Sequence, residues 1–191
     1  MPAGPGAAVV MALGLLLTGC VTTQVGDHQP TIDTLSALRN ASIARLNVGD
    51  FSLAKGLDPA LDRGISSRGN PMKPPGNSTF SQYLRDSLIT DLKAADKYDS
   101  ASPYTVRGEL TESQLHTPTS EASAALAARI YVQHAGQIVY DKVLRESKSW
   151  KSSFMGVIAI PEAFNQYTAL YGALLEQLYA DPAFREACST H

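Results

Sequence analysis

The sequence predicts an α+β fold: a four-stranded, mainly antiparallel sheet with two helices packed on one face, in the order β-α-β-β-β-α. Three observations predict it. Two stretches, 79–97 and 161–178, carry apolar residues at helical spacing on one side only. Three consecutive segments between them alternate apolar and polar residues with period two. The connections between those segments are short, which makes neighbouring strands pair antiparallel. Single-faced helices and a sheet with one apolar face satisfy each other when both helices cover that face.

The elements follow in order. Ile32, Leu35 and Leu38 suggest a short helix. Ala44, Leu46 and Val48 alternate with Arg45 and Asn47, a half-buried strand running to about Leu53. Residues 55–78 hold four Gly and four Pro, so a regular element is not expected there, and a connection this long in a small domain is usually functional or mobile. The first long helix opens at Thr79, with Ser78 or Thr79 as cap, and buries Phe80, Tyr83, Leu84, Leu88, Leu92 and Ala95. Tyr104, Val106, Gly108 and Leu110 form a strand; Ala122, Ala124, Leu126, Ala128, Ile130 and Val132 form a longer one. A tight turn at His134–Gln137 leads into a strand from Ile138 to about Ser147. Pro161 opens the last helix, whose broad apolar face includes Phe164, Tyr167, Tyr171 and Leu175, and Asp181-Pro182 ends it.

The first twenty residues read differently. Ala7 to Leu17 is an apolar run closed by Thr18-Gly19-Cys20, the pattern of a cleaved export signal, although MPAGPG ahead of it lacks the usual Lys or Arg. The run is shorter than the ~20 residues a membrane span needs. The division expected is a signal at 1–19, a lipidated Cys20 with tether and short helix at 20–40, and one domain at 41–191. The box Leu17-Thr18-Gly19-Cys20 resembles the lipobox of bacterial lipoproteins. That resemblance implies a diacylglyceryl group on the Cys20 thiol, cleavage before it, and an acyl chain such as palmitate on the new amine. Stable anchoring needs more than one chain, each buried methylene contributing about 0.8 kcal/mol.

Composition excludes several classes. Net charge is −2, so no global basic footprint for nucleic acid exists. Two cysteines occur; with Cys20 acylated, Cys188 has no intrachain partner and reads as a tail thiol, free or paired between chains. His28 reads as tether, His116 and His134 as hairpin loop residues, and His191 as a solvated terminus, none at metal-ligand spacing. No Gly-x-Ser-x-Gly elbow or phosphate-cradling glycine loop occurs. Asp58 and Asp62 read as solvated loop acids. No catalytic residue, metal or cofactor is therefore expected.

Two segments are candidates for contact with a partner. The cations Arg63, Arg68 and Lys73 of the 55–78 stretch, with Lys55, could meet phosphorylated headgroups or an acidic protein. Residues 150–158, with Trp150, Phe154 and Met155, are richer in large apolar groups than a connection needs. They form either an exposed contact patch or a cap on the core.

The stretch FSQYLRDSLITDLKAADKYD, 80–99, resembles the first helix of small envelope lipoproteins of the YajG-like kind and, more remotely, of the lipopolysaccharide-assembly lipoprotein LptE. Auxiliary lipoproteins of lipid-transporting ABC systems share the lipobox and α+β plan. The resemblance implies a non-catalytic binding, assembly or transport accessory in the envelope, with an envelope protein or lipid as partner. Val21, where an Asp would resemble an inner-membrane retention signal, favours the outer membrane with the domain in the periplasm. A structural or self-associating surface lipoprotein is the alternative, and a cell-envelope hydrolase a more distant one.

Overall fold

A computed structural model describes residues 22–189. The signal segment and Cys20 lie outside the described residues. In chain order the elements are β1 (Thr23–Gln24), α1 (Ile32–Asn40), β2 (Asn47–Leu53), α2 (Ala60–Arg63), β3 (Ile65–Ser67), β4 (Asn70–Lys73), α3 (Phe80–Ala94), β5 (Tyr104–His116), β6 (Glu121–His134), β7 (Gln137–Lys151), α4 (Gly156–Ala180) and α5 (Pro182–Ala187).

The main sheet has the order β2-β5-β6-β7. β5, β6 and β7 form an antiparallel meander, and α3 and α4 pack on one face of it, α3 over β2 and β5 and α4 over β6 and β7. β2 runs parallel to β5, so the sheet is mixed while two of its three pairings are antiparallel. The reason is the connection: a parallel neighbour needs a crossover, and α3 supplies one. Thr79 closes a capping box at the start of α3, its Oγ1 accepting from the Gln82 N–H while the Gln82 side chain accepts from the Thr79 N–H.

The inward face of β6 is Ala122, Ala124, Leu126, Ala128, Ile130 and Val132, all buried. Its alanines leave room for α4. On β5 the inward parity of Val106, Gly108 and Leu110 shifts at a bulge between Leu110 and Glu112, after which Ser113 faces in. Gly108 is required by packing, since a Cβ there would overlap the Phe51 ring of β2.

A second sheet, β1-β4-β3, corrects the reading of two segments. The stretch 55–78, expected to be irregular, contains α2 and a β3–β4 hairpin. Its turn is Arg68-Gly69, with φ of 49° and 80°, the two-residue left-handed turn that suits a hairpin's twist. Pro71 lies before the first β1–β4 pair, Thr23–Met72, so its missing N–H takes nothing from that ladder. The polar stretch expected as a tether is likewise folded: Thr23 and Gln24 pair with β4, and Val25 is buried. The described elements ahead of residue 41 are thus β1 and α1, both packed with the rest of the chain.

Two boundaries also move, and the end of α4 at Asp181 is as expected. β7 continues to Lys151, so Trp150 belongs to a strand rather than a connection. α4 starts at Gly156, placing Pro161 inside its second turn. Asp181 ends α4 and also caps α5, its carboxylate accepting from the Ala183 N–H at 3.0 Å.

Asp181 also accepts from Lys142 Nζ at 2.8 Å and Tyr140 OH at 3.0 Å. The Lys142 ammonium, helped by Tyr140 and the cap, holds this carboxyl below the usual carboxylate range against the effect of burial. Because the folded value is depressed, its stabilisation is complete above the unfolded value of about 4 and is lost as pH falls through the folded one. Asp181→Asn keeps a capping side chain but removes the charge. The variant is expected to be less stable than the wild type at neutral pH, with the gap closing below about pH 4 in urea melts. A gap independent of pH would refute the assignment.

Candidate functional site

The N-terminal segment is bound to the core by polar contacts on both sides. Asp91 of α3 is buried, and each carboxylate oxygen takes one donor: His28 Nε2 at 2.7 Å and Tyr179 OH of α4 at 3.0 Å. Tyr83 OH donates to the Gly26 carbonyl at 3.2 Å. Thr31 caps α1, and Thr34 Oγ1 donates to Glu176 of α4 at 3.0 Å. Burial pushes the Tyr83 hydroxyl up to about 12, with Asp27 adding to the effect. The segment therefore lies alongside α4, and a groove of about 510 Å³ separates the two, lined by Val25, His28, Tyr83, Phe164, Thr168 and Gly172.

The 150–158 segment divides at its middle. Trp150 pairs with Ala122 and packs half-buried on the core, as a cap would. Phe154 and Met155 do not cap anything: they are 84% and 57% exposed. Val157 and Ile158, 77% and 53% exposed, extend the same surface onto the first turn of α4. Phe154 and Met155 are thus free of the core, whereas Trp150 packs on it.

The three expected cations separate as well. The Arg68 guanidinium is consumed by the fold. It donates to the carbonyls of Thr117 (3.2 Å), Pro118 (3.1 Å), Ser153 (2.7 Å) and Phe154 (3.2 Å), and to Ser152 Oγ at 2.8 Å. It ties the β3–β4 turn to the β5–β6 connection and to the entry of α4, and has little left for a headgroup. Arg63 and Lys73 are exposed, on α2 and β4.

Buried groups of catalytic type are also engaged internally. Asp62, expected to be solvated, is buried and accepts from Ser81 N–H (2.7 Å) and Oγ (2.8 Å) at the start of α3. Tyr167 OH lies 2.8 Å from Ser113 Oγ and 2.9 Å from Tyr171 OH, and burial pushes it up to about 12. Cys188 is fully buried against the core rather than a tail thiol, and burial pushes it up to about 12. That position closes the route to a disulfide between folded chains. His134, at the β6–β7 turn as expected, stacks on Tyr104 with ring centroids 3.9 Å apart. Among the described residues no helix is long and apolar enough to cross a membrane.

The missed contacts, His28–Asp91–Tyr179 and the Arg68 clamp, join residues far apart in the chain. Arg68-Gly69 between ISS and NPMK was the one local signal, as a two-residue turn.

No family model matches the chain, and no curated protein matches it by sequence. The fold does match solved structures. Protein XCC0632 from Xanthomonas campestris, of the DUF330 family, superimposes with a TM-score of 0.52 at 14% identity, covering 81% of this chain and 92% of that one. A minor lipoprotein from Acinetobacter baumannii gives 0.46 at 14% identity, over 75% and 94% of the two chains. Protein CT253 from Chlamydia trachomatis gives 0.44 at 11%, over 72% and 96%. The likeness to XCC0632 defines the fold class: a small α+β domain with two helices on a mixed sheet.

Proposed function

We propose that this chain is an outer-membrane lipoprotein, acylated at Cys20, whose domain is a non-catalytic accessory binding another envelope component. The observation that carries it is the junction between leader and domain. The Leu17-Thr18-Gly19-Cys20 box ends three residues before Thr23, where β1, the first described element, starts. With so few residues between Cys20 and β1, an acylated Cys20 would join the domain with almost no slack. The non-catalytic reading is supported by Asp62, Asp91 and Asp181, whose carboxylates are spent on caps and internal bonds. The intact mass of the membrane-purified protein tests the anchor. The expected species starts at Cys20 with thioether-linked diacylglycerol and an N-acyl chain, and Cys20→Ala is expected to be lost from the outer-membrane fraction. A mature protein without lipid mass, or an unchanged Cys20→Ala distribution, would defeat the proposal.

A further inference from the structure

We propose that the start of α4 docks on the surface of the lipid bilayer that holds the Cys20 anchor; this rests on acylation at Cys20 and adds which face of the domain meets the membrane. Residues 154–161 read FMGVIAIP, without a charged or polar side chain, and four of them stand largely in solvent: Phe154, Met155, Val157 and Ile158. Contiguous apolar exposure of this kind marks a contact surface. An apolar helix end lying in the bilayer interface is one way to cover it.

Two independent courses of the backbone bring the start of the domain to the same end of the molecule. The segment 23–31 runs beside α4 in the same direction. Thr31 meets Glu176, His28 Cε1 lies 3.8 Å from where a Cβ on Gly172 would stand, and Thr23 and Gln24 share the groove with Phe164 and Asn165. Tracing back from Thr31 to Thr22 therefore leads toward the first turns of α4. In addition, β1 is parallel to β4, so the chain before Thr23 points toward the Arg68-Gly69 turn. Arg68 holds the carbonyls of Ser153 and Phe154 directly. Cys20 is two residues from Thr22, and two residues of chain reach no more than about 7 Å.

An anchor so short holds this end of the domain against the bilayer. The bilayer is thereby the apolar phase closest to the exposed cluster. Glu121 and Lys151, cross-strand partners at this end of the sheet, carry opposite charges.

Trp150 is the chain's only tryptophan, which makes the surface testable by fluorescence. Full-length protein acylated in cells would carry Trp150→Phe with either Phe154→Trp or, at the opposite end of β7, Ile138→Trp. Each is reconstituted in phosphatidylethanolamine–phosphatidylglycerol vesicles with brominated acyl chains. Quenching is expected to be several-fold stronger for Phe154→Trp than for Ile138→Trp. Equal, weak quenching at both sites, on protein whose mass shows the Cys20 lipid, overturns docking and leaves the anchor standing. So does a photo-crosslinker at 154 that captures an envelope protein and no lipid. Protein without lipid on Cys20 overturns both proposals.

Discussion

Phe80→Ala is expected to lower the free energy of unfolding by about 3–5 kcal/mol. Phe80 is the first residue of α3 and has no solvent exposure. Its ring meets Tyr167 edge-on at 5.4 Å between centroids and lies over Tyr171 at 6.0 Å. Tyr83 and Tyr167 each meet Tyr171 in turn, at 5.0 and 5.6 Å. The ring thus joins α3 to α4 at the centre of the helical layer. Truncation removes the transfer free energy of a large side chain, leaves a cavity, and forfeits pair energies of about 0.5–1.5 kcal/mol each. Relaxation of the cavity is limited because the Tyr167 hydroxyl is held by Ser113 and Tyr171. Urea unfolding would read the effect as a lower midpoint at unchanged slope. A loss under about 1 kcal/mol would mean that the layer repacks freely and that Phe80 does not join the helices. Against a typical total stability of about 5–15 kcal/mol, the expected loss is a large fraction of what holds the domain folded.

The same residues explain why the core was legible in the sequence. Phe80 through Ala95, and Phe164 through Leu178, sustain one period over several turns, and β6 sustains another over eleven positions. Patterns that long identify the face that is buried. β1, β3 and β4 are two to four residues long, too short for a period to show. Their Gly and Pro content pointed to irregular chain, whereas the glycine at 69 serves a hairpin turn. The parallel pairing of β2 with β5 was hidden for another reason. Strand patterns report which face is buried, not which neighbour is beside it. The candidate site was legible to the extent that it depends on composition. Phe154 and Met155 stood out because apolar residues were too dense for a connection, and they proved exposed. Arg68 was misread because its partners are backbone carbonyls 49 to 86 residues away, which carry no side-chain signature. Asp62 was misread because its partner, Ser81, lies across the whole hairpin.

The contact that most links stability to the proposed anchoring is also one no local pattern announces. Asp91→Ala is expected to cost about 2–6 kcal/mol, since it leaves the Tyr179 hydroxyl and the His28 ring N–H without their acceptor in a buried setting, each about 1–3 kcal/mol. Asp91 is 63 residues from His28 and 88 from Tyr179, and joins the N-terminal segment, α3 and α4 at one point. Burial and the Asp91 carboxylate together hold the Tyr179 hydroxyl far above the usual tyrosine range, so it stays protonated and donates throughout. Loss of the carboxylate should therefore loosen the segment more than the sheet. The Val25 N–H, bonded to the Lys73 carbonyl at 2.9 Å, would report it by hydrogen exchange, alongside β6 amides as reference. Preferential loss of protection at Val25 is the expected result. Uniform loss across both would make Asp91 a general core residue. Asp91→Asn separates charge from shape: its amide oxygen can accept from one partner only, so a smaller loss is expected. In membrane-bound protein the looser segment would lengthen the span between Cys20 and the body of the domain. The start of α4 would then no longer be held close to the bilayer, and quenching of Phe154→Trp by brominated lipid is expected to fall in the Asp91→Ala background.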